Sequence, residues 1–193
     1  MRYPAEHKEE IRERIVHVAS RRFRRSGSGV GIAALMKALK LTHGGFYRHF
    51  KSKDDLFAEA LGKAFEESRA RMRKAIEGAA PGQEVRAVID LYLGQEHCSD
   101  PAGGCPIAAL VSEVSRQPRA VRMVMDRALL QSVPALARYM PGATDAERRG
   151  NVVALMSGMA GSLAMARAVS DEGLRRTILR SARKMFLEAF CSD

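Results

Sequence analysis

The chain has no tryptophan, aromatic residues make up only 6% of it, and three of its 193 residues are cysteine. A small, odd number of cysteines gives no disulfide framework and suits a reducing compartment, so the expected location is the cytoplasm. No apolar run approaches the roughly 20 residues that span a bilayer. The first 30 residues are charged throughout and lack the apolar core of a secretory signal. No alternating run of β-branched residues exceeds a few positions, which leaves little from which to build a sheet.

What remains is ordinary for a globular protein, with 46% hydrophobic and 28% charged residues. Alanine, leucine, arginine, glutamate and methionine are abundant, a composition that favours an all-α fold. The net charge of +10 is unevenly spread. Residues 1–63 hold 14 Lys and Arg against 7 Asp and Glu, whereas the remainder holds 18 against 15. An excess of positive charge in one third of the chain attracts phosphate backbones through counterion release, although a solvated basic surface would have the same composition.

Apolar spacing divides the chain into helices. Residues 7–25 carry Ile11, Ile15, Val18, Ala19 and Phe23 on one face, and Arg21, Arg22, Arg24 and Arg25 crowd the end, where DNA would lie near them. A glycine-rich connector follows. Ile32, Leu35, Met36 and Leu39 define a short helix, and Thr42 can cap a second one over residues 43–50. Two short helices joined by a tight turn, the second basic and aromatic, read as a helix-turn-helix whose second helix enters the major groove.

Ser52-Lys53-Asp54-Asp55 is a capping box that starts a long helix reaching about Glu77. Further helices are expected from Val85 to about Gln95, after Pro106, over 119–140 with Pro134 inside, and after a second capping box at Thr144–Glu147. His97–Gly104 reads as a loop. The last two helices bear small residues, Gly158 and Gly161 among them, and suit a seam between helices of two subunits. The expected division is residues 1–52 for DNA binding and 53–193 for a second helical domain, with the helix from Lys53 as connector.

The run Leu41–Leu56, LTHGGFYRHFKSKDDL, resembles the recognition segment of TetR-type transcriptional regulators, and the order of about nine helices agrees with that family. The resemblance implies a homodimer formed by the last two helices, a palindromic DNA operator, a C-terminal pocket for a small-molecule inducer, and repression that the inducer releases. It places Thr42, Tyr47 and Lys53 against phosphates and His43, Gly45 and Arg48 near base edges, with Gly44 and His49 completing the surface. Gly44–Gly45 would let the backbone approach DNA closely. Two features depart from the family pattern. Lys40 stands where a turn glycine is usual, and a positive φ there would strain it. Val30–Gly31 replaces a phosphate-binding Thr or Ser.

Cys105, just ahead of Pro106, lies at a helix N-terminus, a position that favours thiolate. With Cys98 it can form an electrophile or oxidant switch, and HCSDPAGGCPIAAL resembles one branch of these regulators. Two inert, semi-buried thiols are the alternative. Expected pocket residues are Phe65, Tyr92, Leu110, Met123, Met125, Leu129 and Met156, with Cys98 and Cys105 as sensing groups. No cofactor is expected, and His97, Cys98, Asp100 and Cys105 match no common zinc spacing. The competing readings are an architectural or activating DNA-binding dimer without ligand, and a small thiol or metal enzyme. The enzyme reading lacks a Ser/His/Asp constellation and a phosphate loop, so none is expected.

Overall fold

Three buried residues at four-residue spacing, Ile15, Ala19 and Phe23, fix the first helix, α1 (Ala5–Ser26), against its neighbours. The computed structural model describes residues 5–191. Gly27 ends α1 at φ +76°, its N–H donating to the Phe23 carbonyl at 2.8 Å. Helix α2 (Ile32–Ala38) buries Leu35 and Met36. It closes in a Schellman turn: Leu41 N–H donates to the Met36 carbonyl and Lys40 N–H to that of Lys37. Such a turn needs a left-handed residue, and Lys40 takes φ +59°. The strain foreseen for this substitution is therefore present.

The second short helix, α3, spans His43–Phe46, four residues rather than the eight expected. Thr42 caps it, its Oγ1 accepting from Gly45 N–H at 3.2 Å. Beyond Phe46 the chain tightens into i→i+3 bonds from Arg48 and His49, which keep Phe50 pointing inward. Phe46 and Phe50 stack with ring centroids 5.5 Å apart. Helix α4 (Lys53–Glu77) begins at Ser52, whose Oγ accepts from Asp55 N–H. Asp55 reaches back to the Lys51 N–H, one residue earlier than a standard box. At 25 residues α4 is about 37 Å long.

The second half holds α5 (Glu84–Tyr92), α6 (Gln95–Ser99), α7 (Pro106–Val114), α8 (Arg119–Ala137), α9 (Asp145–Ala168) and α10 (Glu172–Phe190). Ten helices thus stand among the described residues, against about nine expected. The addition is α6, a five-residue turn of helix that overlaps the stretch read as a loop, where Gly94 and Asp100 bracket too few apolar residues to show a period.

Two apolar cores are joined by shared helices. The first packs Phe23, Phe46, Phe50, Phe57 and Leu61 around α1–α4, and Leu110, Val114 and Val121 from α7 and α8 complete it. The second packs Val88, Ile89, Val152, Leu155, Met159 and Leu163 with Leu179 and Phe186 of α10. Burying each such side chain stabilises the fold by about 1.5–3 kcal/mol. Gly158 lets α10 close on α9, since a Cβ there would fall 2.5 Å from Phe186 Cζ. No helix among the described residues is long and apolar enough to cross a membrane.

Lys40→Gly should stabilise the protein by about 0.5–1 kcal/mol by relieving the left-handed conformation. Urea unfolding of the two proteins checks this; a lower midpoint for the glycine variant would show that Lys40 carries no strain.

Candidate DNA interface and the site behind it

The face of α3 opposite Phe46 is open. Thr42, His43, Gly44 and Arg48 are exposed, and Tyr47 is 60% exposed despite its aromatic ring. The His43 and Tyr47 rings meet edge to face at 5.8 Å, which holds Tyr47 against the helix while its hydroxyl stays in solvent. The two glycines differ. A Cβ on Gly44 would meet nothing within 4 Å, whereas one on Gly45 would lie 3.3 Å from Thr42 Oγ1 and 3.8 Å from Met36 Cε. Gly45 therefore turns inward beneath the cap. Only Gly44 leaves bare backbone on the outer face.

His49 also turns inward. Its Nδ1 is buried with no hydrogen-bond partner, and its ring lies beside Phe50. Burial first, then the charges of Lys8, Arg12 and Arg48, lowers its pKa from the ordinary 6.5, so the imidazole is neutral. Lys53 is half-buried at the start of α4, close to that helix's positive end. Arg12 makes a two-pronged ion pair with Glu59 and lies over the Phe50 ring at 4.7 Å, so this cation braces α1 on α4. Together these groups form a small cationic and aromatic surface on a rigid base.

Of the arginines at the end of α1, Arg21, Arg22 and Arg25 border a groove with His17, Val18 and Ala102. Arg24 is buried, and its guanidinium joins three elements. Nη1 donates to the Gly104 carbonyl at 3.0 Å, Nη2 to Glu67 Oε2 of α4 at 2.6 Å, and Nε to the Ser20 carbonyl. Burial lowers its pKa, and the Glu67 partnership opposes that shift. Sequence reading missed this residue. The available signal was that Ser20, Phe23 and Arg24 share one helical face, so one cation of the cluster had to point inward.

Directly behind Gly104 lies a buried polar cluster. His97 Nδ1–H donates to the Tyr92 carbonyl at 2.6 Å, and its Nε2 accepts from Cys105 N–H at 2.9 Å. These bonds fix the neutral tautomer and occupy both ring nitrogens. Burial, with help from the charges of Arg167 and Arg71, holds the His97 pKa down to about 4 against the hydrogen bond to Tyr92. Arg167 donates to the carbonyls of His97 and Cys98, while its buried Nη1 has no partner. Cys98 and Cys105 are free and buried, and Cys105 is the N-cap of α7.

A cavity of about 590 Å³ opens beside this cluster, between Arg21 of α1, Ser68, Arg71 and Met72 of α4, α5, and the α6 turn with His97, Asp100 and Gly103. Of the expected pocket residues only Tyr92 borders it. Phe65, Leu110 and Met125 belong to the first core, with Leu129 packed on it. Met156 packs on the second core, and Met123 is 44% exposed on the outside of α8. Cys98 and Cys105 lie in the second core behind the cavity wall. Helical spacing marked these residues as apolar, but apolar spacing does not separate a pocket wall from a core.

Residues 15–60 match the family model described as bacterial regulatory proteins, tetR family. None of the curated proteins matches the chain in sequence. Among solved structures, a TetR-family transcriptional regulator from Agrobacterium tumefaciens is 18% identical, with TM-score 0.78 over 96% of this chain and 100% of that one. A TetR-family regulator from Streptomyces coelicolor is 25% identical, with TM-score 0.71 over 95% and 97%. A transcriptional regulator from Saccharomonospora viridis, in complex with choline, is 15% identical, with TM-score 0.72 over 96% and 100%.

If Tyr47 and Lys53 touch phosphates, Tyr47→Ala with Lys53→Ala should weaken binding to all DNA sequences alike, and loss of the lysine should reduce the salt slope by about one. Titrations at several salt concentrations read this directly, and an unchanged slope would remove the lysine from the interface. A second expectation concerns His97. Its folded pKa lies below its unfolded value, so its contribution to stability is complete above pH 6.5 and is lost as the pH falls toward 4. The loss should be on the order of 2 kcal/mol. Urea unfolding at pH 7 and pH 4.5 should show it in the native protein and not in His97→Gln; equal slopes would contradict the assignment.

Proposed function

We propose that this chain, a TetR-family DNA-binding transcriptional regulator, is a homodimeric repressor that leaves a palindromic operator when a small molecule enters the cavity beside Tyr92 and His97. In this reading residues 1–52 hold DNA and residues 53–193 bind the inducer and the second subunit, in the cytoplasm. Thr42, Tyr47 and Lys53 hold phosphates, while His43 and Arg48 reach base edges over the bare backbone of Gly44. Gly45 and His49 support that surface from within. Two copies would present α3 to successive major grooves about 34–36 Å apart or somewhat wider.

The observation that carries the release mechanism is Arg24. Its three anchors, on α1, α4 and the turn before α7, are each next to a cavity-lining residue: Arg21 on α1, Ser68 beside Glu67, and Gly103 beside Gly104. An occupant that displaces any of these walls strains the Arg24 junction and thereby reorients α1 and the helix-turn-helix packed on it. The occupant shifts the equilibrium only by its differential affinity for the two arrangements, typically about 1–3 kcal/mol. Binding in the cavity is favoured over attack on a thiol, because Cys98 and Cys105 are both buried and neither borders the cavity.

Dimerisation is supported by the outer faces of α9 and α10. Ala154, Ser157, Gly161, Met165 and Ala168 form an exposed stripe of small and apolar residues on α9, and Leu174 and Met185 are half-exposed or more on α10. Gly161 meets nothing within 4 Å in the single chain, unlike Gly158. Gly161→Leu should therefore leave the monomer fold intact and break the dimer. Sedimentation should show a monomer with a native helical spectrum, and operator titration should show weak half-site binding. An unchanged sedimentation coefficient would place the seam elsewhere.

A further inference from the structure

We propose that the cavity selects an organic anion with an apolar body, its carboxylate held by Arg71 and Arg21; this rests on reading the cavity as the inducer site.

The charges around the cavity are unequally satisfied. Arg71 and Arg21 both line it, and neither has an ion pair or hydrogen bond among the described residues. The acidic groups in the wall are Asp90, Asp100 and Glu96. Asp90 is paired with Arg183 at 2.6 Å, and Asp100 Oδ1 accepts from Gly103 N–H at 3.1 Å. Asp100 Oδ2 and Arg21 Nη1 both face Gly103 without forming an ion pair, and Glu96 stands exposed at the rim.

Behind the wall the imbalance continues. Arg21 and Arg71 both act against the charge of Arg24, whose one carboxylate partner, Glu67, also receives His17. Arg167, near His97, bonds only to carbonyls and keeps one buried N–H unsatisfied. His97 cannot supply an anion: burial keeps it neutral, and both its ring nitrogens are occupied. A carboxylate between Arg71 and Arg21 would therefore relieve repulsion as well as form charge-assisted hydrogen bonds. Met72, Val88, Leu91 and Tyr92 offer the rest of the ligand an apolar bed. The volume suits a molecule of modest drug size. A quaternary ammonium such as the choline held by one relative would instead meet unpaired guanidiniums here.

The test uses three probes of one shape on the full-length protein: 2-naphthoate, neutral 2-naphthamide and cationic 2-naphthyltrimethylammonium. Calorimetric titration should give 2-naphthoate a Kd at least roughly tenfold below that of the amide, as expected for a charge-assisted bond. Arg71→Gln should abolish that preference while keeping amide binding, and Glu96→Gln should retain or enhance it. Circular dichroism establishes that each variant is folded. Equal affinity for acid and amide, tightest binding of the cation, or no binding of any probe by a protein that still holds operator DNA would each overturn the proposal. Selective binding of 2-naphthoate that leaves operator affinity unchanged would uphold the anion site and sink the release mechanism instead.

Discussion

A buried guanidinium must find partners or cost several kcal/mol, and the arrangement of this molecule follows from where Arg24 finds them. Its partners are a carboxylate on α4, two groups of Ser20 on its own helix, and one carbonyl 80 residues away. A carbonyl bond of that kind is possible only if the α6–α7 turn stays against the end of α1. Gly103 and Gly104 allow it: a Cβ on Gly104 would lie 2.6 Å from Arg167 Nη2 and 3.0 Å from His97 Nε2. Ser28 N–H, donating to Glu113 of α7, adds a second link at the same end of α1.

From this junction the two cores follow as parts of one mechanical system. The first core includes residues of α7 and α8, so the helix-turn-helix unit is packed on the helices that follow the α6 turn as well as on α4. At its far end the same turn is held by Arg167 of α9 through the carbonyls of His97 and Cys98. The α6–α7 turn thus lies between an arginine of α1 and an arginine from the helix proposed to carry the dimer seam. The cavity opens beside that turn, with Gly103 and His97 in its wall.

Local signals were legible in the sequence because they depend on neighbours in the chain. Thr42, Ser52 and Thr144 have the pattern of caps, and each accepts the expected backbone N–H. Lys40 departs from the pattern at a turn position, and its positive φ shows the strain that this implies. The all-α fold and the order of the long helices were legible from apolar spacing. The illegible parts depend on distant chain. Arg24 appeared as one of a surface cluster because its Gly104 partner is 80 residues away. Gly44 and Gly45 are alike in sequence, and only the position of Met36 behind Gly45 distinguishes them. Of the expected pocket residues Tyr92 alone reaches the cavity, whose wall is otherwise built from the Gly94–Gly103 stretch, two arginines and neighbouring residues of α4 and α5.

The coupling assigned to Arg24 can be measured without an inducer through a double-mutant cycle on operator affinity. Gly103→Ala would bring a Cβ within 2.2 Å of Asp100 Oδ2, so the Asp100 carboxylate that braces the turn through the Gly103 N–H must move. Arg24→Met keeps a long apolar stem and cuts the link to that turn. If Arg24 transmits movement of the turn, Gly103→Ala should weaken operator binding in the native background and have little further effect beside Arg24→Met, a coupling of about 1 kcal/mol or more. Additive effects would contradict the account.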